Sequence, residues 1–373
     1  MYRPESSKID YNHRAESPIS AGTIMFEKYR PSMQVVKLIG ELDEFKGSWR
    51  SMADISPERL AGLKHVATIE SIGSSTRIEG ASLSNAEVQK LLSGLQATSF
   101  LSRDEEEVAG YSTLMEAIFQ NWQNIPLTEN YIKQLHKTLL QYSSRDDRHR
   151  GEYKKVENHV EARDESGRRI GIVFKTATTF QTPFKMTELF QWLENAMEKG
   201  EIHPLFIVGV FVVCFLAIHP FQDGNGRLSR CLTTLLLLKF GYSYVPYSSL
   251  EGVIESSKES YYLALRQTQS TLESEEPSWE PWLLFFLKAM QKQKNKLSEK
   301  IERARILQGE LPALSIRILE LAREQGSIKS SDLTALTGES RSTLLTRVNE
   351  LVRNGLLKRN GKGPATWYTL PRS

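Results

Sequence analysis

His219-Pro220-Phe221-Gln222-Asp223-Gly224-Asn225-Gly226-Arg227-Leu228-Ser229-Arg230 gathers, within twelve residues, a proton acceptor, a carboxylate, an asparagine between two glycines, and two arginines. The fourteen positions before it, 205–218, are all apolar or glycine. That run falls short of the roughly 20 residues a membrane-spanning helix needs, so it predicts a helix buried on every side. The helix should end at His219, with Pro220 helping to stop it. Downstream, Leu228, Cys231, Leu232, Leu235 and Leu236 recur at helical spacing, and Gly241 is the expected C-terminal stop. Residues 223–227 then form a loop that feeds a helix N-terminus.

A helix N-terminus presents unpaired N–H groups and a partial positive charge, which suit phosphate. Gly224 and Gly226 let the backbone approach an anion with no Cβ in the way. Arg227 and Arg230 lie three apart, so they can share a face and grip neighbouring phosphates. Asp223 offers a hard oxygen to Mg²⁺, and His219 can take a proton from a hydroxyl near neutral pH. Taken singly, each feature is commonplace: histidines end helices, Asp-Gly-Asn-Gly makes turns, and paired arginines usually face solvent. Only their conjunction behind a buried helix points to a site for a polyphosphate, a divalent metal and an attacking hydroxyl.

Residue by residue the stretch resembles the signature of the Fic (filamentation-induced-by-cAMP) family, and His203-Pro204-Leu205 opens the core helix as family members often do. The resemblance implies that His219 is the base that deprotonates a hydroxyl on a target protein. It implies Asp223 as the Mg²⁺ ligand, and Gly224, Asn225, Gly226, Arg227 and Arg230 as the ATP-binding set. The implied reaction is transfer of AMP from ATP to a Ser, Thr or Tyr hydroxyl, with release of pyrophosphate. Relatives that phosphorylate instead carry Lys where this chain has Gly226, which favours AMP transfer. Upstream, Ser75-Thr76-Arg77-Ile78-Glu79-Gly80 fits the family's inhibitory pattern. There Ser75 and Glu79 would set a carboxylate on Arg230 and block the productive pose of the γ-phosphate; the same glutamate could orient water for removal of AMP. Residues 158–174 read as a hairpin turning at Asp164-Glu165-Ser166-Gly167, where the family has the flap that clamps its target. The proline-rich stretch common after that flap is absent. Tyr262 falls where relatives place a tyrosine against adenine.

The expected fold is mainly α: a Fic helical core with a small β-hairpin flap, followed by a winged helix-turn-helix. The expected domains are an N-terminal segment over 1–60, a Fic domain over 61–285 with the inhibitory helix near 66–80, a helical connector over 286–310, and a winged helix over 311–373. Within 311–373 the periodicity predicts helices at 313–324, 330–336 and 340–354, then strands at 356–360 and 365–370. That segment holds ten Lys/Arg against five Asp/Glu, a charge of +5 in a chain of +3, so the remainder sums to −2. Positive charge concentrated there is what nucleic-acid binding requires. Arg341, Ser342, Thr346 and Arg347 would lie on the third helix's exposed face, and Lys358, Arg359 and Lys362 could meet phosphate.

The implied partners are a hydroxyl-bearing target protein, ATP and Mg²⁺, with self-modification, DNA through 311–373 and a homodimer as further options. Cys214 and Cys231 sit in apolar helical patterns, which suits buried thiols in the cytoplasm. No membrane span and no secretory leader is expected. A competing reading makes the chain a winged-helix DNA-binding transcriptional regulator whose Fic core senses nucleotide. The intact His219, Asp223, Asn225 and Arg227 favour the enzyme.

Overall fold

The computed structural model describes residues 24–51, 57–94, 100–158, 160–163, 169–309, 312–337, 339–361 and 366–371. It divides into two compact units, Met1–Lys294 and Asn295–Ser373. The start of the expected N-terminal segment, the hairpin turn at 164–167 and the wing residues around Lys362 lie outside the described residues.

The first unit runs α1 (Met33–Ser51), α2 (Pro57–Ile78), α3 (Asn85–Ser93), α4 (Arg103–Asn121), α5 (Glu129–Leu139), β1 (Val160–Arg163), β2 (Arg169–Phe174), α6 (Gln181–Lys199), α7 (Pro204–Ile218), α8 (Asn225–Lys239), α9 (Leu250–Glu255) and α10 (Lys258–Gln269). The first half of α11 (Glu280–Gly309) closes it. At its centre is α7, the all-apolar run, with Val208, Val210, Val213 and Phe215 wholly buried. It packs between α6 and α8, with α10 alongside. Pro204 occupies its first turn and His203 caps it, Nδ1 accepting from the Leu205 N–H. Leu228, Cys231, Leu235 and Leu236 of α8 are fully buried. Gly241 follows α8 with φ 81°, the left-handed stop expected of it. The β1–β2 hairpin is antiparallel, pairing Glu161 with Ile172 and Ala162 with Gly171.

One difference from the sequence reading bears on the site. The helix expected from about residue 66 begins a full two turns earlier at Pro57, a residue favoured at a first helical position, and Gly73 does not interrupt it.

The second unit takes the end of α11 and then α12 (Ala313–Gln325), β3 (Ile328–Lys329), α13 (Ser330–Thr337), α14 (Arg341–Arg353), β4 (Lys358–Asn360) and β5 (Trp367–Thr369). Its strands order β3-β5-β4, antiparallel throughout. Ile318, Leu321, Ile328, Leu333, Leu344, Val348, Leu351, Leu357 and Tyr368 form one core. Ser340 caps α14, its hydroxyl accepting from the Thr343 N–H at 3.2 Å. The strand β3 was not legible in the sequence, because two residues cannot show an alternation.

Candidate active site

The site is built on the turn from α7 to α8. His219 caps α7 in the left-handed conformation (φ 53°), the only non-glycine with positive φ among the described residues. That backbone state costs an L-residue roughly 1–2 kcal/mol, so the surroundings must hold it, and they do at each following residue. Phe221 is buried, and the Asn225 side chain grips both its backbone groups: Oδ1 accepts from the Phe221 N–H (2.9 Å) and Nδ2 donates to its carbonyl (2.7 Å). Asn158 donates to the same carbonyl at 2.7 Å. Lys154 donates its N–H to the Pro220 carbonyl at 2.8 Å. Its buried ammonium donates to Asn158 Oδ1 (2.8 Å), Thr176 Oγ1 (2.9 Å) and the Ile218 carbonyl (3.1 Å).

His136 of α5 supports the turn from below. Its Nδ1 accepts from the Gly151 N–H at 2.9 Å, so Nε2 carries the proton and donates to the Asp223 carbonyl at 2.9 Å. The ring stacks on Phe221, centroids 3.8 Å apart and 10° from parallel. Burial pushes its pKa down to about 4, in keeping with a neutral ring. The helix α5 can reach this position because Gly110 of α4 has no Cβ, which would fall 2.0 Å from the Leu139 carbonyl oxygen.

His219 itself is half-buried at the mouth of the turn. Burial lowers its pKa to about 4, helped by the nearby Lys154 ammonium and opposed by the Leu216 backbone, Glu79 and Asp223. The Leu216 backbone lies near the ring, yet Nδ1 makes no well-aligned hydrogen bond. A neutral imidazole at pH 7 is the form that accepts a proton.

The N-terminus of α8 opens beside it. Gly224 is the N-cap at φ 79°, and no side chain caps the first N–H groups. The two arginines, three residues apart, turn to different partners and are buried rather than solvated. Arg227 (2 % exposed) lies 3.1 Å from Glu107 and 3.2 Å from Asp223. Its Nε has no hydrogen-bond partner. Arg230 (4 % exposed) donates to Ser75 Oγ at 2.8 Å, to the Ser75 carbonyl at 3.0 Å and to Glu79 Oε1 at 2.7 Å. Both Ser75 and Glu79 therefore meet Arg230. Glu79 also sits directly over the α8 N-terminus: a Cβ on Gly226 would fall 2.1 Å from its Oε1. Burial works against ionising Glu79, but the Arg230 guanidinium outweighs it, with Arg227 adding, and holds the carboxyl below its usual range.

Asp223 faces the same space. Its Oδ1 accepts from the Gly224 N–H at 2.6 Å and from Arg227, and its Oδ2 accepts from Arg103 at 2.8 Å. Burial raises its pKa, yet Arg227, the Gly224 N–H and Arg103 together keep it lowered. Among the described residues no group of three or more His, Cys, Asp or Glu could hold a metal. Asp223 thus fits Mg²⁺ only in the manner of a single carboxylate working beside phosphate oxygens.

Glu79, His219, Asp223, Gly226, Arg227 and Tyr262 line one small cavity of about 150 Å³. The Tyr262 ring packs 5.1 Å from that of the buried Tyr261. A larger groove of about 670 Å³ between the start of α5 and α6 has Glu129, Glu194 and Lys239 but no base beside an open helix N-terminus. Residues of the His219–Arg230 stretch line the smaller one. Sequence reading missed Arg103, Glu107, His136 and Lys154, which lie far from the motif along the chain. Only a signal from the fold could have found them.

Residues 126–237 match the Fic/DOC family, and solved structures of Fic proteins share this fold. Over those residues the chain carries a Fic/DOC-family domain. It is 26 % identical over 239 residues to a protein adenylyltransferase Fic of Drosophila grimshawi, an overlap covering 62 % of this chain and 46 % of that one. It is 29 % identical over 188 residues to the same-named protein of Culex quinquefasciatus, covering 49 % and 35 %. The chain thus spans less than half the length of these curated relatives. Its fold is similar to that of a Fic family protein from Desulfovibrio desulfuricans G20 (TM-score 0.59, 23 % identity, covering 92 % of this chain and 98 % of that one). Fic-1 of C. elegans is similar over 72 % of this chain and 73 % of its own (TM-score 0.58, 16 % identity).

Proposed function

We propose that the protein transfers AMP from ATP to a hydroxyl side chain of a protein and that Glu79 holds this activity back. His219 takes the proton from the attacking hydroxyl. The hydroxyl oxygen bonds to the α-phosphorus as the bond from that phosphorus to the bridging oxygen breaks, and pyrophosphate leaves. The uncapped N–H groups at the start of α8 and the Arg227 Nε that lacks a partner are donors suited to phosphate. Mg²⁺ held by Asp223 would offset the charge of the leaving phosphates. Tyr262 is suited to the adenine side of the cavity. The target bears Ser, Thr or Tyr, and the protein itself is one candidate target.

The observation that carries the inhibited state is the Glu79 carboxylate, bonded to Arg230 and lying over Gly226, where a γ-phosphate would need the same donors. Intact mass after incubation with ATP and Mg²⁺ tests the reading. The Glu79→Gly chain should gain one or more AMP adducts where the natural chain gains few, and no adduct on either would overturn it. If the natural chain instead strips AMP from a modified substrate and Glu79→Gly cannot, the glutamate serves hydrolysis and removal is the main activity.

For the second unit we propose a winged helix that binds duplex DNA. The supporting observation is that Arg341, Ser342, Thr343 and Thr346 of α14 are exposed over a packed core, with Arg353, Lys358 and Arg359 exposed after them. Arg347, expected on the open face, pairs with Glu350 at 2.8 Å and is half-buried. The cysteines Cys214 and Cys231 are free and buried, and we assign the protein to the cytoplasm on that ground.

A further inference from the structure

Both oxygens of the Asp223 carboxylate are already taken. Oδ1 accepts from the Gly224 N–H and from Arg227, while Oδ2 accepts from Arg103 at 2.8 Å. An inner-sphere bond to Mg²⁺ would bring the cation onto an oxygen that already accepts from a donor, and a guanidinium there would compete with it as a like charge. The three donors are not equally free. The Gly224 N–H is backbone of the adjoining residue, in a turn that Asn225 and His136 hold on either side. Arg227 is 2 % exposed, and its guanidinium would lose Glu107 as well. Arg103 is different. Its side chain is 48 % exposed, and its Nε is independently held on Glu107 Oε1 at 2.8 Å, so NH2 can leave Asp223 while the guanidinium keeps a carboxylate partner.

We propose that Arg103, the first residue of α4, is a competing cation at Asp223: it fills Oδ2 in the nucleotide-free protein and is displaced when the divalent metal binds with nucleotide. Arg103 is a gate on metal loading, separate from the Glu79 contact on Arg230. It acts on a different carboxylate and comes from a different helix. The inference rests on the reading of Asp223 as the metal ligand.

Metal binding can be measured without turnover, using the full chain carrying Glu79→Gly, Mn²⁺ as the probe and α,β-methylene-ATP, whose α–β linkage does not break. The paramagnetic resonance signal of free Mn²⁺ gives the bound fraction. Arg103→Gln in that background should tighten Mn²⁺ by about two- to fivefold, the range set by a half-exposed ion pair. Arg103→Lys, which keeps the charge but not the fork that spans Glu107 and Asp223, should fall between the two. Thermal melting checks that each variant is folded; both should melt like their parent, because the side chain is half exposed. Unchanged or weaker Mn²⁺ binding in Arg103→Gln overturns this inference and leaves the metal site standing. If the parent binds no Mn²⁺ with the analogue, or Asp223→Ala binds it as well as the parent does, the metal is not at Asp223 and both readings fall.

Discussion

His219 is held in a backbone state that asparagine tolerates better than most residues. His219→Asn therefore separates chemistry from fold. It should keep the turn, bind ATP and melt within a few degrees of the parent, yet transfer no AMP, because a carboxamide cannot take a proton at neutral pH. Labelled-ATP transfer beside a nucleotide titration checks this; transfer at the natural rate would remove His219 as the base. The pH dependence makes a second demand. The ring must be neutral to act, and burial and Lys154 bring its pKa to about 4. The acid limb of kcat/KM, which reports the free enzyme, should then stay flat from pH 8 down past pH 6. It should fall only as the pH approaches 4. A half-point near 6.5 would show an imidazole as exposed as one in a free peptide. What the sequence made legible at this scale was the set of motif residues, because they are contiguous and chemically distinct. What it hid was their support. His136, Lys154 and Asn158 contact the turn across 63 to 87 residues of chain. Nothing in their local sequence marks them: a His in an amphipathic helix and a Lys after a Tyr look like surface residues until the fold buries them.

At the scale of elements, the contact proposed to inhibit depends on where α2 ends. Its last turn is pinned from outside the site: Arg77 makes a two-pronged bond to Glu255 of α9 (2.6 and 2.9 Å) and donates to the Leu83 carbonyl at 2.8 Å. Glu79 follows two residues later and reaches Arg230. A charge-assisted bond of this kind contributes roughly 1.5–3 kcal/mol, and about 1.4 kcal/mol is a factor of ten. Glu79→Gly should thus raise AMP transfer by about ten- to a hundredfold. Arg77→Ala should raise it less, because it loosens the delivery of Glu79 but leaves the carboxylate present. Arg230→Ala should not raise it, since it removes the phosphate's anchor together with the inhibitor's. A time course of mass shift for the three variants at saturating ATP decides the order, and Arg230→Ala matching Glu79→Gly would sink it. The sequence revealed α7, α8 and α14 through sustained apolar spacing. It understated α2, whose first two turns carry no long apolar stripe and are opened only by Pro57. It also left out β3, which exists through its pairing with β5 rather than through any pattern of its own.

For the whole molecule, charge is distributed unevenly, +5 over residues 311–373 and −2 over the rest. The full chain should bind duplex DNA weakly, with anisotropy that collapses between low and moderate salt. Arg341→Ala with Arg359→Ala should weaken binding further. No binding at low salt would assign that unit to protein contacts instead. The first unit's contact between Glu79 and Arg230 has its own consequence. On the proposed inhibitory reading, a carboxylate tethered at the end of a helix competes with nucleotide at an effective concentration fixed by geometry. Diluting or over-expressing the protein does not alter that concentration, whereas raising free ATP opposes it directly. A chain built this way carries its own competitive ligand, and its output in the cell would follow the nucleotide supply rather than its own abundance.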